Sequence, residues 1–473
     1  MKGAYKMNTL VIDLTHGGVK IAISLAKKGE HVYCFDIYNT IKNIEKRMLD
    51  IYDIELIQLK DLKEFNDDLK VIYPIHLPLS CDEIRQYNPS LNYTFITHHD
   101  AIAEILKDWG KDINKIEVTG VKGKTSCVFM LKEILIDDNP LLLSSLGALI
   151  YEDKKEIILQ KNISITPANI KESIDLAYRL ANPICGGEIK NQTYGCAIFE
   201  SSLGVSGIGD IGLLTNIVED YPIAKNKSSA SIAKKQVFKC DIVCCEKESF
   251  DRFYSNVKHE KVNSFSLDDK TSNLYAEKIE YTLDETTVHI VYSDVKTRSG
   301  KIISGDLEVK TFAPGFHHVS NVLGVVETAL SLDIDKNRIV SGLKNYKGIP
   351  GRTNKKIIEN SIIIEEINPG INTKAIEASI NMLNMDSTYI ISIGGDYGIT
   401  CEEIDEDSVA DLINGLDKEV ILTGEVGKSI LNKINRKIKY IPDYNAVYDF
   451  AVENNKNLLF IYRSDYRILS KRW

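Results

Sequence analysis

Residues 117–126 read Glu-Val-Thr-Gly-Val-Lys-Gly-Lys-Thr-Ser, and this stretch decides the fold of the central part of the chain. The residues around it predict a short strand over 115–118 and an amphipathic helix over 126–135. Between them, Gly120 and Gly123 let the backbone turn with its N–H groups facing inward. A strand, a glycine-bounded turn and a helix are the setting in which a triphosphate binds.

The side chains that follow the turn suit phosphate chemistry. Lys124 can reach β- and γ-phosphate oxygens, and Thr125 offers a hydroxyl to Mg²⁺. The full P-loop spacing has a glycine at the position that is Val118 here, so this loop is a shortened form. An ordinary glycine-rich turn before a helix is the alternative, but the Lys-Thr pair favours nucleotide binding. The predicted ATP-binding residues of the loop are Thr119, Gly120, Val121, Lys122, Gly123, Lys124, Thr125 and Ser126.

The composition indicates a multidomain cytoplasmic enzyme. The length of 473 residues corresponds to about three domains. A formal charge of −9 without a long Lys/Arg run argues against nucleic acid as a partner. The nine cysteines are irregularly spaced, and Cys240, Cys244 and Cys245 lie in an apolar stretch that predicts a buried strand. We therefore expect reduced thiols and no zinc site, and neither a signal peptide nor a membrane span.

The first segment, residues 1–110, has the pattern of a Rossmann-like domain. It predicts a strand over 10–14, a turn at His16-Gly17-Gly18, a helix, and a second strand that leads to Asp36. The turn has only two adjacent glycines, which disfavours nicotinamide binding. A doubly wound domain that holds another ligand at its strand ends is the favoured interpretation.

The same segment contains Thr97-His98-His99-Asp100, a sequence typical of a helix N-cap. Capping alone would explain both histidines. The alternative is that His98 and His99 contact an anionic substrate.

In the middle segment, residues 197–199 predict a buried strand that delivers Glu200 to its carboxyl end. Ligands of open α/β sheets bind at that edge. A carboxylate opposite Lys124 and Thr125 would suit Mg²⁺, which prefers one or two carboxylates together with phosphate oxygens.

A further strand predicted over 213–217 contains Thr215-Asn216, and the acidic residues after it are expected to point to the same edge. A helix predicted over 229–238 carries Lys234. Composition alone makes this lysine a solvated surface residue without a role.

Taken together, these motifs resemble the Mur ligase superfamily of ATP-dependent amide-forming enzymes, over nearly the whole chain. The matching motifs are Thr119 to Thr125, Thr166-Pro167, Glu200-Ser-Ser, Thr215-Asn216-Ile217, Ala233-Lys234 to Phe238, Gly315 to Asn321, and Gly348-Ile-Pro-Gly-Arg352. The resemblance implies an α/β fold of three domains: a Rossmann-like domain at 1–110, a central P-loop domain with a mostly parallel sheet at 111–346, and a Rossmann-like C-terminal domain at 347–473.

The resemblance also implies roles for single residues. Glu200 and Thr125 would hold Mg²⁺, and Lys234 would be carbamylated to supply a further anionic ligand. His317 and Asn321 would meet ATP at the adenine, while Arg352 would contact phosphate as the last domain closes. Lys124, Glu200 and Lys234 are thus the implied catalytic residues.

Two departures from the superfamily pattern stand out. Tyr221 replaces a histidine that helps to hold a second metal, which leaves that second site open. In the last domain, residues 365–370 read Glu-Glu-Ile-Asn-Pro-Gly, which changes the place where the incoming nucleophile normally lies.

Within the superfamily, the first segment contains Asp13-Leu-Thr-His-Gly-Gly18, Asp36-Ile-Tyr38 and Thr97-His98-His99. With these motifs it resembles the archaeal coenzyme F430 synthetase branch. That resemblance implies a nickel tetrapyrrole substrate, a seco-F430 acid, whose activated propionate is attacked by a ring carbon. Substrate contacts would come from His16, His76, His98, His99 and Thr166. A pseudomurein or other peptide ligase, a nicotinamide dehydrogenase and a non-catalytic carrier remain alternatives, and the oligomeric state is open.

Overall fold

The computed structural model describes residues 8–181, 194–282, 285–383, 388–399, 404–465 and 469. The chain forms two compact units. The first comprises Met1–Glu277, His289–Leu307 and Ser320–Leu343, and the second comprises Lys278–Val288, Glu308–Val319 and Lys344–Trp473. The domain boundaries at residues 110 and 346 stay a prediction.

The N-terminal part of the first unit contains a parallel sheet flanked by helices. Its strands, in spatial order, are Glu55–Leu56, His31–Phe35, Asn8–Ile12, Leu69–Tyr73 and Tyr93–Thr97. Its helices are Val19–Lys27, Asn43–Ile51, Cys81–Arg85 and His98–Leu106, with a kinked, partly non-helical turn at Leu14–Gly18 and a 3₁₀ turn at Leu59–Glu64. Parallel pairing brings the carboxyl ends of the strands to one edge.

The first strand ends earlier than the sequence predicts. It stops at Ile12 because Asp13 has φ 71° and ψ 95°, outside the extended region. The chain then turns through Gly17, whose φ is 99°.

The rest of the first unit is built on a larger sheet. Its strands run in the order Val262–Ser266, Ile242–Glu246, Ile211–Leu214, Asn114–Thr119, Cys196–Glu200, Pro140–Ser144, Gly147–Glu152 and Lys155–Gln160. The pairs up to Pro140–Ser144 are parallel, and the last two strands add antiparallel pairs. The strands Pro140–Ser144, Cys196–Glu200 and Ile211–Leu214 are largely apolar and buried, as expected for a parallel sheet covered on both faces.

Helices and minor elements complete this region: Lys124–Ile134, Ile136–Asp138, Pro167–Ala181, Ala230–Lys234, Lys235–Lys239, Lys247–Phe253 and the strand pair Pro222–Ile223 with Ser228–Ser229. The unit boundaries fall within the strands Leu274–Glu280, Thr286–Lys296 and Ile302–Thr311 and the helices Phe316–Ser331 and Lys336–Asn345.

The second unit contains its own α/β sheet. The strand order is Arg352–Ile358, Ser361–Ile367, Asn457–Arg463, Tyr389–Gly395, Val420–Thr423 and Lys439–Ile441. The first pair is antiparallel and the others are parallel. The helices are Thr373–Met382, Glu406–Asn414, Gly424–Leu431 and Tyr444–Glu453.

The predicted α/β class with mostly parallel sheets is confirmed. Over the part of the chain that the structure describes, no helix has the length and apolar character needed to cross a membrane.

Candidate active site

The glycine-rich loop has the geometry of a phosphate cradle. It leaves the strand Asn114–Thr119 at Gly120 and enters the helix Lys124–Ile134 at Gly123. Gly120 has φ 144° and Gly123 has φ 83°, conformations that side chains with a Cβ rarely adopt. A Cβ on Gly123 would also lie 2.0 Å from Oδ1 of Asn321, so this amide packs directly on the loop.

Thr215 and Asn216 fix the loop from the neighbouring strand. The Thr215 hydroxyl donates to the Lys122 carbonyl at 2.6 Å, and the Lys122 N–H donates to the Asn216 amide oxygen at 3.1 Å. Asp220, expected to face the ligand edge, instead accepts hydrogen bonds from the Ser231 backbone and hydroxyl. It holds the start of the short helix that carries Lys234.

Glu200 and Thr125 meet beside the loop, as the sequence predicts. The Thr125 hydroxyl donates to Glu200 Oε1 at 3.0 Å, and the Ser145 N–H donates to Oε2 at 2.9 Å. Glu200 is 2% exposed and Thr125 is also buried. These two donors are neutral groups, so a cation beside this buried carboxyl group would be electrostatically favourable. The sequence analysis did not single out Ser145, which follows the strand Pro140–Ser144 at the same sheet edge.

Lys124 and Ser126 lie in the first helical turn, and Thr119 is the buried last residue of the strand before the loop. The Lys124 ammonium donates to the Gly120 and Val121 carbonyls at 3.1 and 3.4 Å. Its charge therefore lies over the loop, where the positive end of the helix dipole adds to it.

Lys234 is fully buried, so the prediction of a solvated surface lysine is wrong. The helix Ala230–Lys234 turns its side chain inward, and Nζ donates to the Ser202 carbonyl at 2.5 Å. Burial, together with the charge of Lys124, lowers the Lys234 pKa to about 7. Much of this amine is neutral at physiological pH, the form that reacts with CO₂.

A pocket of about 250 Å³ in the first unit brings together the five residues predicted to contact substrate. His16, His76, His98, His99 and Thr166 all line it, with Ser202 and Leu203 among the other lining residues. Ser202 is also the residue that accepts the Lys234 hydrogen bond. The pocket wall thus continues into the segment that carries Glu200.

The histidines occupy different environments in this pocket. Thr97 caps the helix His98–Leu106 as predicted, with its hydroxyl accepting from the Asp100 N–H. His98 is 2% exposed, and its Nε2 lies 2.9 Å from the Ile12 carbonyl. Burial lowers the pKa of His98 to about 4 and that of His99 to about 3, so both rings are neutral.

Asp13 is a pocket-edge residue that the sequence analysis missed. Its carboxylate Oδ2 lies 2.7 Å from His16 Nδ1 and 3.4 Å from His76 Nε2. The aspartate comes directly after the strand Asn8–Ile12, and the sequence carried no signal for it because the predicted strand ran through residue 14.

The remaining predicted residues lie around the helix Phe316–Ser331 and in the second unit. Asn321 belongs to the first unit and is buried, whereas His317 and Arg352 belong to the second, where His317 is exposed and Arg352 begins a strand. In the altered motif, Glu365 accepts hydrogen bonds from Lys356 and Tyr448 at 2.8 and 2.9 Å. The roles of these residues toward ATP stay predictions.

Comparison with known proteins adds four findings. Residues 355–465 match the family described as coenzyme F430 synthetase CfbE, C-terminal domain. The chain is 29% identical over 447 residues to the coenzyme F(430) synthetase of Methanocaldococcus jannaschii, covering 92% of this chain and 95% of the relative. It is 25% identical over 451 residues to that of Methanosarcina acetivorans, covering 89% and 91%. Among solved structures, MurF from Acinetobacter baumannii aligns with a TM-score of 0.58 at 14% identity, over 85% of this chain and 83% of MurF.

Proposed function

We propose that this chain, a member of the Mur ligase superfamily and of its coenzyme F430 synthetase branch, is an ATP-dependent ligase. It activates a carboxylate as an acyl phosphate. The substrate is a nickel seco-F430 acid, and the reaction closes its carbocyclic ring in coenzyme F430 biosynthesis. The supporting observation is the continuity between the phosphate loop, Glu200, Lys234 and the histidine-lined pocket, all within one compact unit.

The loop residues bind and orient the triphosphate. Backbone N–H groups at the start of the helix Lys124–Ile134 face the anion, and the Lys124 ammonium swings from the Gly120 carbonyl to phosphate oxygens. A substrate carboxylate oxygen attacks the γ-phosphorus, an O–P bond forms, and the bond to ADP breaks. Lys124 stabilises the charge that spreads over the equatorial oxygens.

Glu200 and Thr125 fit a Mg²⁺ ion. They offer a buried carboxylate and an adjacent hydroxyl, both oxygen ligands that this hard cation prefers. When bound with ATP, Mg²⁺ would neutralise part of the phosphate charge. The Ser145 N–H holds the second carboxylate oxygen and so fixes the orientation of Glu200.

Lys234 is suited to carbamylation. Its neutral amine, present because the pKa is about 7, attacks CO₂, and one proton leaves as the N–C bond forms. The product is an anion beside Ser202, where it replaces a buried ammonium that lies near Lys124. The attraction between the carbamate and Lys124 then favours the modified form.

The pocket suits one carboxylate-bearing arm of a large substrate. Its volume of about 250 Å³ lies below the roughly 300–1,000 Å³ of sites that enclose a drug-sized ligand. A macrocycle would therefore remain at the pocket mouth with one arm inside. In the second unit, Glu365 forms an ion pair with Lys356 and accepts a hydrogen bond from Tyr448, so this side chain already has partners within its own unit. A carbon nucleophile within the substrate requires no separate site for an amino acid.

The experiment measures phosphate release with ATP, Mg²⁺ and nickel seco-F430 acid, without any added amine. One phosphate for each ring closed supports the proposal. Release that requires a free amino acid would instead identify a peptide ligase, and no release with any acceptor would exclude ligase activity. Lys124→Ala should abolish release, while Lys155→Ala, an exposed lysine on the edge strand Lys155–Gln160, is the matched control.

A further inference from the structure

We propose that Asp13, His16 and His76 form a binding site for a divalent transition-metal ion, with one coordination position open toward the pocket. The ion is of the zinc, cobalt and nickel class, because two imidazoles and one carboxylate are ligands that these ions share. The site is separate from the Glu200–Thr125 pair. Metal binding itself does not depend on the proposed function.

The three ligand atoms have nearly the spacing that a small cation imposes. Asp13 Oδ2, His16 Nδ1 and His76 Nε2 form a triangle with sides of 2.7, 3.3 and 3.4 Å. Bonds of about 2.1 Å give ligand-to-ligand edges of about 3.0 Å in an octahedral site and about 3.4 Å in a tetrahedral one. The two sides of 3.3 and 3.4 Å match the tetrahedral edge, and the contact of 2.7 Å between Asp13 and His16 must open by about 0.7 Å to reach it.

The backbone holds the carboxylate in the orientation that the site needs. Asp13 Oδ1 accepts from the Thr15 and His16 N–H groups at 3.0 and 3.3 Å, which leaves Oδ2 to face both imidazoles. This arrangement is typical of metal sites, where hydrogen bonds fix one carboxylate oxygen while the other oxygen coordinates the metal ion. Asp13 is 0% exposed, so the turn holds this carboxyl group in a fixed, buried position.

The turn is also shaped around Asp13. A Cβ on Gly18 would lie 2.2 Å from the Asp13 carbonyl oxygen. Glycine is therefore required where the chain folds back on the aspartate, and His16 is carried to the pocket by this tight turn.

A second observation in the same pocket points to a ligand. Among the residues that the structure describes, neither ring nitrogen of His99 has a hydrogen-bond partner, and neither does Thr166 Oγ1. His99 is 4% exposed and lines the pocket, as do Thr166, His16 and His76. Buried polar atoms without partners are costly, so a ligand oxygen that accepts a hydrogen bond from the His99 N–H or from the Thr166 hydroxyl would be favourable.

These facts together define the ligand. A carboxylate in the pocket can place one oxygen on the open metal position and the other within reach of His99 or Thr166. This part rests on the proposed function, because the arm of the substrate supplies the carboxylate.

The test uses the full-length, metal-stripped protein without ATP. Co²⁺ is titrated in the presence of excess Mg²⁺, which occupies oxygen-rich sites, and binding is followed by visible ligand-field absorption. We expect one Co²⁺ per chain, at least tenfold weaker binding in His16→Ala and in His76→Ala, and unchanged binding in His31→Ala. His31 is the matched control because it also lies near a carboxylate, Glu55, but does not line the pocket.

Absent Co²⁺ bands, or binding that survives both pocket variants, would overturn the metal site and leave a hydrogen-bonded cluster only. Adding propionate to the Co²⁺-bound protein should shift the absorption bands. A spectrum that does not change on addition of propionate would overturn the proposal of an open coordination position. None of these readouts involves phosphate release, so a failure of the metal site and a failure of the ligase proposal are distinguishable.

Discussion

Replacing Lys234 by methionine should stabilise the protein and abolish its ligase activity. The Lys234 side chain is 0% exposed, and burial lowers its pKa from 10.5 to about 7. At about 1.4 kcal/mol for each unit of pKa shift, the burial of Lys234 lowers the free energy of unfolding by about 5 kcal/mol at pH 7. Methionine fills a similar volume without the charge. Loss of the hydrogen bond to Ser202 offsets about 1–3 kcal/mol of the gain, which leaves a net stabilisation of about 2–4 kcal/mol.

The pH dependence of the free energy of unfolding tests whether the lowered pKa of Lys234 causes this stabilisation. Between pH 7 and 10.5 the unfolded chain holds a proton on Lys234 that the folded chain has lost, so wild-type stability rises with pH in this window. From pH 7 to pH 9 the gain is about 2 kcal/mol, because the folded-state amine is still half protonated at pH 7, and the variant lacks this gain. The advantage of the variant should therefore shrink by this amount.

The assay is denaturant unfolding of both proteins at pH 7, 8 and 9 in CO₂-free buffer. Lys235→Met, at the exposed neighbouring lysine, is the matched control and should change little. Added bicarbonate should stabilise the wild type alone if Lys234 forms a carbamate. A difference between variant and wild type that stays constant from pH 7 to pH 9 would refute the assignment of a buried amine with a lowered pKa.

Three further outcomes follow from the geometry. Gly123→Ala should weaken equilibrium ATP binding at least tenfold, because its Cβ would overlap the Asn321 amide, whereas Gly300→Ala, at a similar φ of 82° with open space around it, should not; equal ATP affinities would contradict the packing. Glu200→Gln should keep the fold and lower kcat by about 10²–10³, with a higher Mg²⁺ requirement in a titration of activity; wild-type Mg²⁺ dependence would remove Glu200 from the metal site. Because His98 is neutral when buried, with a pKa of about 4 against an ordinary value of 6.5, stability should fall by about 1.4 kcal/mol for each pH unit from about pH 6.5 to pH 4. His99, with a pKa of about 3, adds a similar slope over this range, so His98→Gln should remove about half of the combined dependence in unfolding measured at pH 7 and pH 5; an unchanged slope would show that His98 contributes nothing to it.

Much of the fold could be predicted because its signals are local. The strand before Gly120 and the helix after Gly123 are set by neighbouring residues, and the structure has them within two residues of the predicted bounds. The meeting of Glu200 with Thr125 also follows, because parallel strands end at one edge.

Burial by tertiary packing could not be predicted in the same way. The five-residue helix that carries Lys234 gives too short a pattern to reveal which face is inward, so its lysine looks like any surface lysine. Only the superfamily resemblance gave Lys234 a role.

The histidine-lined pocket could be predicted in part from the sequence. His16, His76 and His98 follow three different strands of one parallel sheet, so their approach at its carboxyl edge could have been inferred. The contribution of Asp13 could not, because the sequence predicted that the strand continued through it. Its positive φ arises from the fold of the turn.

Oxygen transfer from substrate to phosphate is the signature of an acyl phosphate. The nickel seco-F430 acid is prepared with ¹⁸O in both oxygens of its reacting carboxylate, and the phosphate released with ATP is analysed by mass spectrometry. If a carboxylate oxygen attacks the γ-phosphorus and leaves with it when the acyl bond breaks, each phosphate carries one ¹⁸O. Ring closure accompanied by unlabelled phosphate would contradict the acyl-phosphate mechanism.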